Sequence, residues 1–167
     1  MALTLTTNLS IETAQARIQS LIEIERPDTL QTHFDQIFRF KDDTKVLGTM
    51  DNHQFKIWIS DHNVSTGIFY PIIKGKLIPT AKGLDIKLTS RLNIIGRIVF
   101  LLLSAVIAYY LITHVVIQKR NDLQFLIPRF LIALIMYGLF TSIPTFIYLR
   151  TSRIVKRHVI EGIKNKK

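Results

Sequence analysis

The sequence predicts an α+β domain followed by a C-terminal transmembrane helical hairpin, with one N-terminal helix lying on a mainly antiparallel, twisted sheet of five or six strands. Three features carry this expectation. Two long apolar runs, spanning about 97–117 and 126–149, sit on either side of the polar stretch Gln118-Lys119-Arg120-Asn121-Asp122. One early segment repeats its apolar residues at helical spacing. The rest of residues 1–90 alternates apolar with polar residues between turn-forming pairs.

Taken in order, Leu3 and Leu5 alternate with threonines and predict a short strand. Ser10 is a good helix N-cap, and Glu12 suits a first turn, where a carboxylate meets the positive end of the helix dipole. Ile11, Ala14, Ile18, Leu21 and Ile22 then share one helical face, and Arg26-Pro27 sets the far limit of that helix. Residues 34–40 and 45–50 are candidate strands around Asp42-Asp43. Residues 54–60 form the best strand by β-branched and aromatic content, and Asp51-Asn52 joins it to its predecessor as a hairpin. Asp61-His62-Asn63 reads as a second turn. Strands follow at 67–70, 72–79 and 84–90, the last two joined by Ala81-Lys82-Gly83. Leu84, Ile86 and Leu88 alternate with Asp85, Lys87 and Thr89, as a half-buried strand requires. Pro71 and Pro79 mark edges or breaks, because proline offers the ladder no donor.

A hydrocarbon core of about 30 Å is crossed by roughly 20 helical residues. Residues 98–117 and 130–149 each supply that length without an Asp, Glu, Lys or Arg. Only residues 90–93 separate the last strand from the first span, so the domain is expected against the bilayer surface. The chain carries a formal net charge of +10, yet residues 1–90 hold ten basic and ten acidic side chains. The excess belongs to the membrane region and to the basic tail 150–167, and nucleic acid is not an expected partner.

The N-terminus has no basic and apolar signal-peptide pattern, so the first span is expected to target the chain. Lys82, Lys87 and Arg91 precede that span, while Arg150, Arg153, Lys156, Arg157, Lys164, Lys166 and Lys167 follow the second. By the positive-inside rule both termini are cytoplasmic in a multi-pass cell-membrane protein, and the loop with Lys119 and Arg120 crosses over. Arg97 and Arg129 lie within snorkelling reach of the two interfaces. Ser104, Thr113, Thr141, Ser142 and Thr145 make the hairpin more polar than an anchor needs; helix contact is expected, with pore lining as the alternative. Pro144 predicts a kink, and His114 is a titratable group near the outer end. Residues 150–163 keep helical periodicity, with Ile154, Val155, Val159 and Ile163 largely opposite the charged residues. They read as an extension of the second helix or as an interfacial helix on anionic lipid, with a solvated positive-inside flank as the equal alternative. Arg91, Arg97, Arg150, Arg153, Lys156 and Arg157 are the candidate membrane-surface contacts.

The absence of cysteine excludes disulfides, thiolate metal sites and cysteine nucleophiles. No Gly-rich phosphate loop, metalloprotease motif or nucleophile elbow is present, so neither catalysis nor a cofactor is expected. His53, Asp61 and His62 flank one strand whose ends lie roughly 20 Å apart, which favours exposed turn residues over a metal site. Trp58 is expected in a core or interface.

Gly48 with Phe55-x-Ile57, then Phe69-Tyr70-Pro71-Ile72-Ile73-Lys74-Gly75, then Gly83-Leu84-Asp85-Ile86-Lys87-Leu88 and two apolar spans form a pattern. It resembles a loose group of small uncharacterised bacterial two-transmembrane-helix proteins with an aromatic-x-Pro-x-x-x-Gly strand module. The resemblance covers about residues 48–149 and implies architecture only, with Gly75 at a bulge or close approach. The function expected is a membrane-anchored binding or interaction module at the cytoplasmic face. Its partners would be the bilayer, anionic lipid headgroups met by the basic tail, and a protein or second copy of the chain. The alternative is a membrane-active effector whose hairpin oligomerises and permeabilises the bilayer. Reporters fused at either terminus should register cytoplasm and one inserted at residues 119–121 the opposite side; an external signal from either terminus would overturn the orientation.

Overall fold

The computed structural model describes residues 2–38, 45–60, 68–81, 83–113 and 123–164. Along the chain these form β1 (Ala2–Thr7), α1 (Ile11–Leu21), β2 (Ile24–Glu25), α2 (Leu30–Phe38), β3 (Lys45–Asp51) and β4 (Gln54–Ser60). There follow β5 (Pro71–Thr80), β6 (Gly83–Leu92), α3 (Ile94–Leu111) and α4 (Leu123–Lys164). The strands make one sheet in the order β1-β6-β5-β4-β3-β2. It is a mixed sheet, because β2 runs parallel to β3 while every other pairing is antiparallel. The α+β class is as expected.

Two local expectations need correction. A strand is expected at 34–40, but α2 occupies Leu30–Phe38, and residues 39–44 with the turn Asp42-Asp43 lie outside the described residues. Leu30, Phe34, Ile37 and Phe38 recur at helical spacing, and the Thr29 hydroxyl accepts the Thr32 N–H at 3.3 Å as an N-cap does. Residues 68–70 carry no ladder either. The Tyr70 carbonyl instead accepts the Asn93 backbone N–H at 3.3 Å and its side-chain amide at 3.0 Å. The expected helix α1 is capped by Ser10 but stops at Leu21, short of Arg26-Pro27, and one further element, β2, takes residues that follow it.

One face of the sheet buries Val46, Phe55, Ile57, Ile73, Leu77, Leu84, Ile86 and Leu88. It is covered by Ala14 and Ile18 of α1 and, unexpectedly, by Val155, Val159 and Ile163 of α4. The tail is therefore an extension of the second helix, and its apolar side lies on the sheet instead of on lipid. Close fit enforces this arrangement. A Cβ at Gly162 would come within 2.4 Å of the Leu21 side chain, so glycine lets α4 approach α1. The Arg17 guanidinium donates to the Ile163 carbonyl, closing the C-terminal end of α4 where carbonyls lack helical partners. Gly75 faces Phe55 across β4 and β5, and a Cβ there would meet the ring at 1.9 Å, so this glycine serves a close approach.

At 42 residues α4 is roughly 63 Å long at the usual helical rise. Its part Phe130–Lys164 is long and apolar enough to cross a membrane, and the most apolar 18 residues of it have a mean hydropathy of 2.0 and are almost wholly exposed. The helix continues through Pro128 and Pro144. Apolar α3 is shorter. The rest of the expected first span, the loop at 118–122, His114 and the side chain of Arg129 lie outside the described residues. Hydroxyls expected to bridge helices bond back to their own: Ser104 to the Phe100 carbonyl, Thr113 to Tyr109, Thr141 to Tyr137, Ser142 to Leu139 and Thr145 to Thr141.

The fully buried Ile163 and the exposed Ile154 separate core from surface on one helix. Ile163→Ala should destabilise the purified protein by roughly 2–5 kcal/mol, whereas Ile154→Ala should stay within about 0.5 kcal/mol. Thermal unfolding followed by Trp58 emission checks this, and equal losses would remove α4 from the core.

Candidate functional site

The opposite face of the sheet holds a smaller cluster of Leu47, Trp58, Tyr70 and Ile72, with Ile24 and Ile37 packed against it. Here α2 turns two polar side chains, His33 and Gln36, inward. They belong to a continuous network. Asp28, just ahead of α2, takes His33 Nε2 on one carboxylate oxygen at 2.9 Å. Its other oxygen takes the Arg91 guanidinium and, at 3.1 Å, the Lys56 ammonium. His33 Nδ1 lies 2.6 Å from the Tyr70 hydroxyl. The Trp58 indole N–H donates to Gln36 Oε1 at 2.7 Å, and the Tyr70 hydroxyl is 3.3 Å from that same oxygen. The Trp58 ring meets the His33 ring edge-on, with centroids 5.2 Å apart.

Burial holds the His33 pKa below its ordinary value, outweighing the Asp28 carboxylate that would raise it. The ring is therefore neutral at pH 7. With Nε2–H given to Asp28, Nδ1 is left to accept the Tyr70 hydroxyl proton. On protonation Nδ1–H would donate to the Tyr70 oxygen, and the hydroxyl would turn its proton to Gln36. Burial by itself would push the Asp28 carboxyl up. Hydrogen bonds from His33 and Lys56, with the charges of Arg91 and Lys56, overcome this and hold it below the usual range. Burial, then the Asp28 charge, pushes the Tyr70 hydroxyl up.

His33, Tyr70 and Trp58 are closed off from solvent, while Lys56 and Arg91 remain partly exposed. The chemistry available at the surface is thus the charge that Asp28 gathers. In the sheet register Lys56 stands opposite Lys74, and Lys76 opposite Lys87. Facing residues on adjacent strands share a side of the sheet, so two like-charged pairs lie side by side there, an arrangement that destabilises a sheet. Among the described residues no carboxylate forms an ion pair with Lys74, Lys76 or Lys87. Burial and then the positive charges of Arg91 and Lys56 lower the Lys74 pKa, against a weaker opposing pull from Asp28.

Of the expected membrane-surface residues, Arg91 is engaged with Asp28, and its Nε is buried without a partner. Arg97 is exposed in the first turn of α3. Arg150, Arg153 and Arg157 are exposed on α4, Arg157 paired with Glu161 at 2.7 Å, and Lys156 is half-buried. His53 is exposed, Asp61 and His62 lie outside the described residues, and no group of three metal-capable side chains occurs among the described ones. An open groove of about 460 Å³ runs beside α2, lined by Arg26, Pro27, Thr32, Asp35 and Leu47 among others. Sequence reasoning missed Asp28, His33 and Gln36. The signal that marks them is the Thr29 cap followed by the apolar spacing of α2. No family model, curated protein or solved structure matches the chain.

The lowered pKa values carry a sign. His33, with its folded value below the ordinary 6.5, contributes stability that is complete above that value and is lost as pH falls below it. Asp28 adds a further loss below its ordinary 3.8. The thermal midpoint should fall on acidification from pH 7 to 5, and His33→Gln should flatten that part of the profile. An unchanged slope in the variant would remove His33 from the linkage.

Proposed function

We propose that the protein is a membrane-anchored binding module whose sheet domain stands at the cytoplasmic face and takes a phosphate-bearing anion on its open basic side. The observation that carries this reading is the in-register pairing of Lys56 with Lys74 and of Lys76 with Lys87. Facing ammonium groups repel, and an anion seated between them turns repulsion into attraction. Asp28 orients Arg91 and Lys56 at one end of the patch, and the buried His33–Tyr70 pair holds Asp28 in place.

Anchoring is supported by the apolar stretch of α4 and by the apolar α3 that follows β6 after a single residue, Asn93. In this reading α3 and α4 form the two-span hairpin, with both termini cytoplasmic. Arg150 and Arg153 then fall within about 6 Å of the end of the apolar run, the depth of a headgroup layer, and Arg97 is exposed in the first turn of α3. Arg157 lies beyond that layer and is already paired. The resemblance to small bacterial two-span proteins agrees with this architecture and adds no activity.

Lys74→Glu and Lys87→Glu each replace a repelling pair by an attracting one, which is worth about 0.2–1 kcal/mol. Each variant should raise the thermal midpoint of the full chain in non-ionic detergent and weaken its binding of pyrophosphate measured by calorimetry. Unchanged affinity in both variants would refute the anion site.

A further inference from the structure

α2 presents two unlike sides. His33 and Gln36 point into the network beneath it, while Leu30, Phe34 and Phe38 are 50%, 50% and 63% exposed. These three residues recur every four positions, so they form one stripe within roughly 80° of arc on the helix surface. The Phe34 and Phe38 rings pack together, centroids 4.5 Å apart. A nine-residue helix that leaves its largest apolar side chains exposed has a face without a partner among the described residues.

The position of α2 says what covers that face. His33 Nδ1 is bonded to the Tyr70 hydroxyl, and the Tyr70 carbonyl to the side-chain amide of Asn93. Asn93 is the N-cap of α3, accepting the Gly96 N–H at 2.8 Å. α2 is therefore tied to the level at which α3 begins, and it packs beside that helix. The exposed apolar wall of α3 starts a few residues further on, with Ile98, Leu101 and Leu102. A surface that is apolar at α2 and stands beside the exposed apolar wall of α3 fits the boundary between headgroups and acyl chains. α2 has no Lys or Arg, so this contact needs no anionic lipid.

We infer that α2 is an interfacial helix, lying in the plane of the membrane with Leu30, Phe34 and Phe38 seated in the acyl–headgroup boundary of the bilayer that α3 and α4 enter. The inference rests on the anchoring proposed above but not on the anion site. It fixes one side of the domain against lipid and makes α2 the element through which the bilayer touches the Asp28 network.

The chain has no cysteine, so single labels can be placed without background. Phe34→Cys, Phe38→Cys, Leu102→Cys and the exposed α1 control Gln19→Cys are spin-labelled in full-length protein in phosphatidylcholine vesicles, with Trp58 emission verifying the fold. Power saturation is compared for oxygen, which concentrates in lipid, and a water-soluble nickel chelate. Labels at 34, 38 and 102 should favour oxygen, and the label at 19 should favour nickel. Lipid accessibility at 102 with nickel accessibility at 34 and 38 would overturn the interfacial helix and leave the anchoring intact. Low accessibility to both agents at 34 and 38 would also overturn it, by showing a protein partner or second copy on the stripe. Nickel accessibility at 102 would overturn the anchoring together with the inference.

Discussion

The inner face of the sheet cannot be closed by α1 alone, and the rest of the architecture depends on how that shortfall is met. Eight strand side chains are buried there, and an eleven-residue helix brings only Ala14 and Ile18 fully into contact. The end of α4 supplies Val155, Val159 and Ile163 and completes the cover. One helix thus joins an apolar stretch fit for lipid to a stripe fit for a protein core. The sheet is held at two points: β6 passes through Asn93 into α3, and α4 returns to lie across the strands. A domain fastened at both ends keeps a fixed side toward α3 and the apolar part of α4.

On the outer face the governing quantity is charge. A single buried carboxylate, Asp28, serves a neutral imidazole and two cations, and beyond it the lysines of β5 and β6 stand without a carboxylate of their own among the described residues. Balance over residues 1–90 therefore hides a local imbalance. Asp85, on the same side of β6, accepts the Thr6 hydroxyl and pairs with none of these lysines among the described residues, and the strands keep facing ammonium groups that stability alone would not select. The His33–Tyr70–Gln36 relay supports this without reaching solvent. Its two protonation states both satisfy every ring nitrogen, so a proton can be taken up without stranding a buried donor.

Most of the strands were legible because their signals are local. The hairpin at Asp51-Asn52, the alternation of Leu84, Ile86 and Leu88 and the cap at Ser10 each follow from a few neighbouring residues. α2 was misread because Phe34, Ile37, Phe38 and Phe40 suit a strand by residue type, and its helical spacing is carried by only nine residues. The Asp28 network could not be read, since its members come from α2 and the residues before it, β4, the residue before β5 and β6, and meet only in the folded sheet. Gly75 was legible as a close approach, whereas Gly162 was not, because the Leu21 it accommodates lies far away in sequence. The tail showed its amphipathic period plainly. What lay under the apolar side, sheet instead of lipid, is a tertiary fact that no local period contains.

The place of Val155, Val159 and Ile163 in the core also sets an order of events during synthesis. A ribosome delivers all six strands, α3 and the apolar part of α4 before these three residues exist, so the inner face stays open until they are made. Given the proposed anchoring, the sheet closes only after the apolar part of α4 has partitioned into the bilayer, and only if its C-terminal end emerges on the same side as the strands. A chain inserted the wrong way round would carry an uncovered sheet face, the exposed apolar surface that proteases and chaperones recognise. Correct topology is thereby proofread by the fold itself, before any ligand is met.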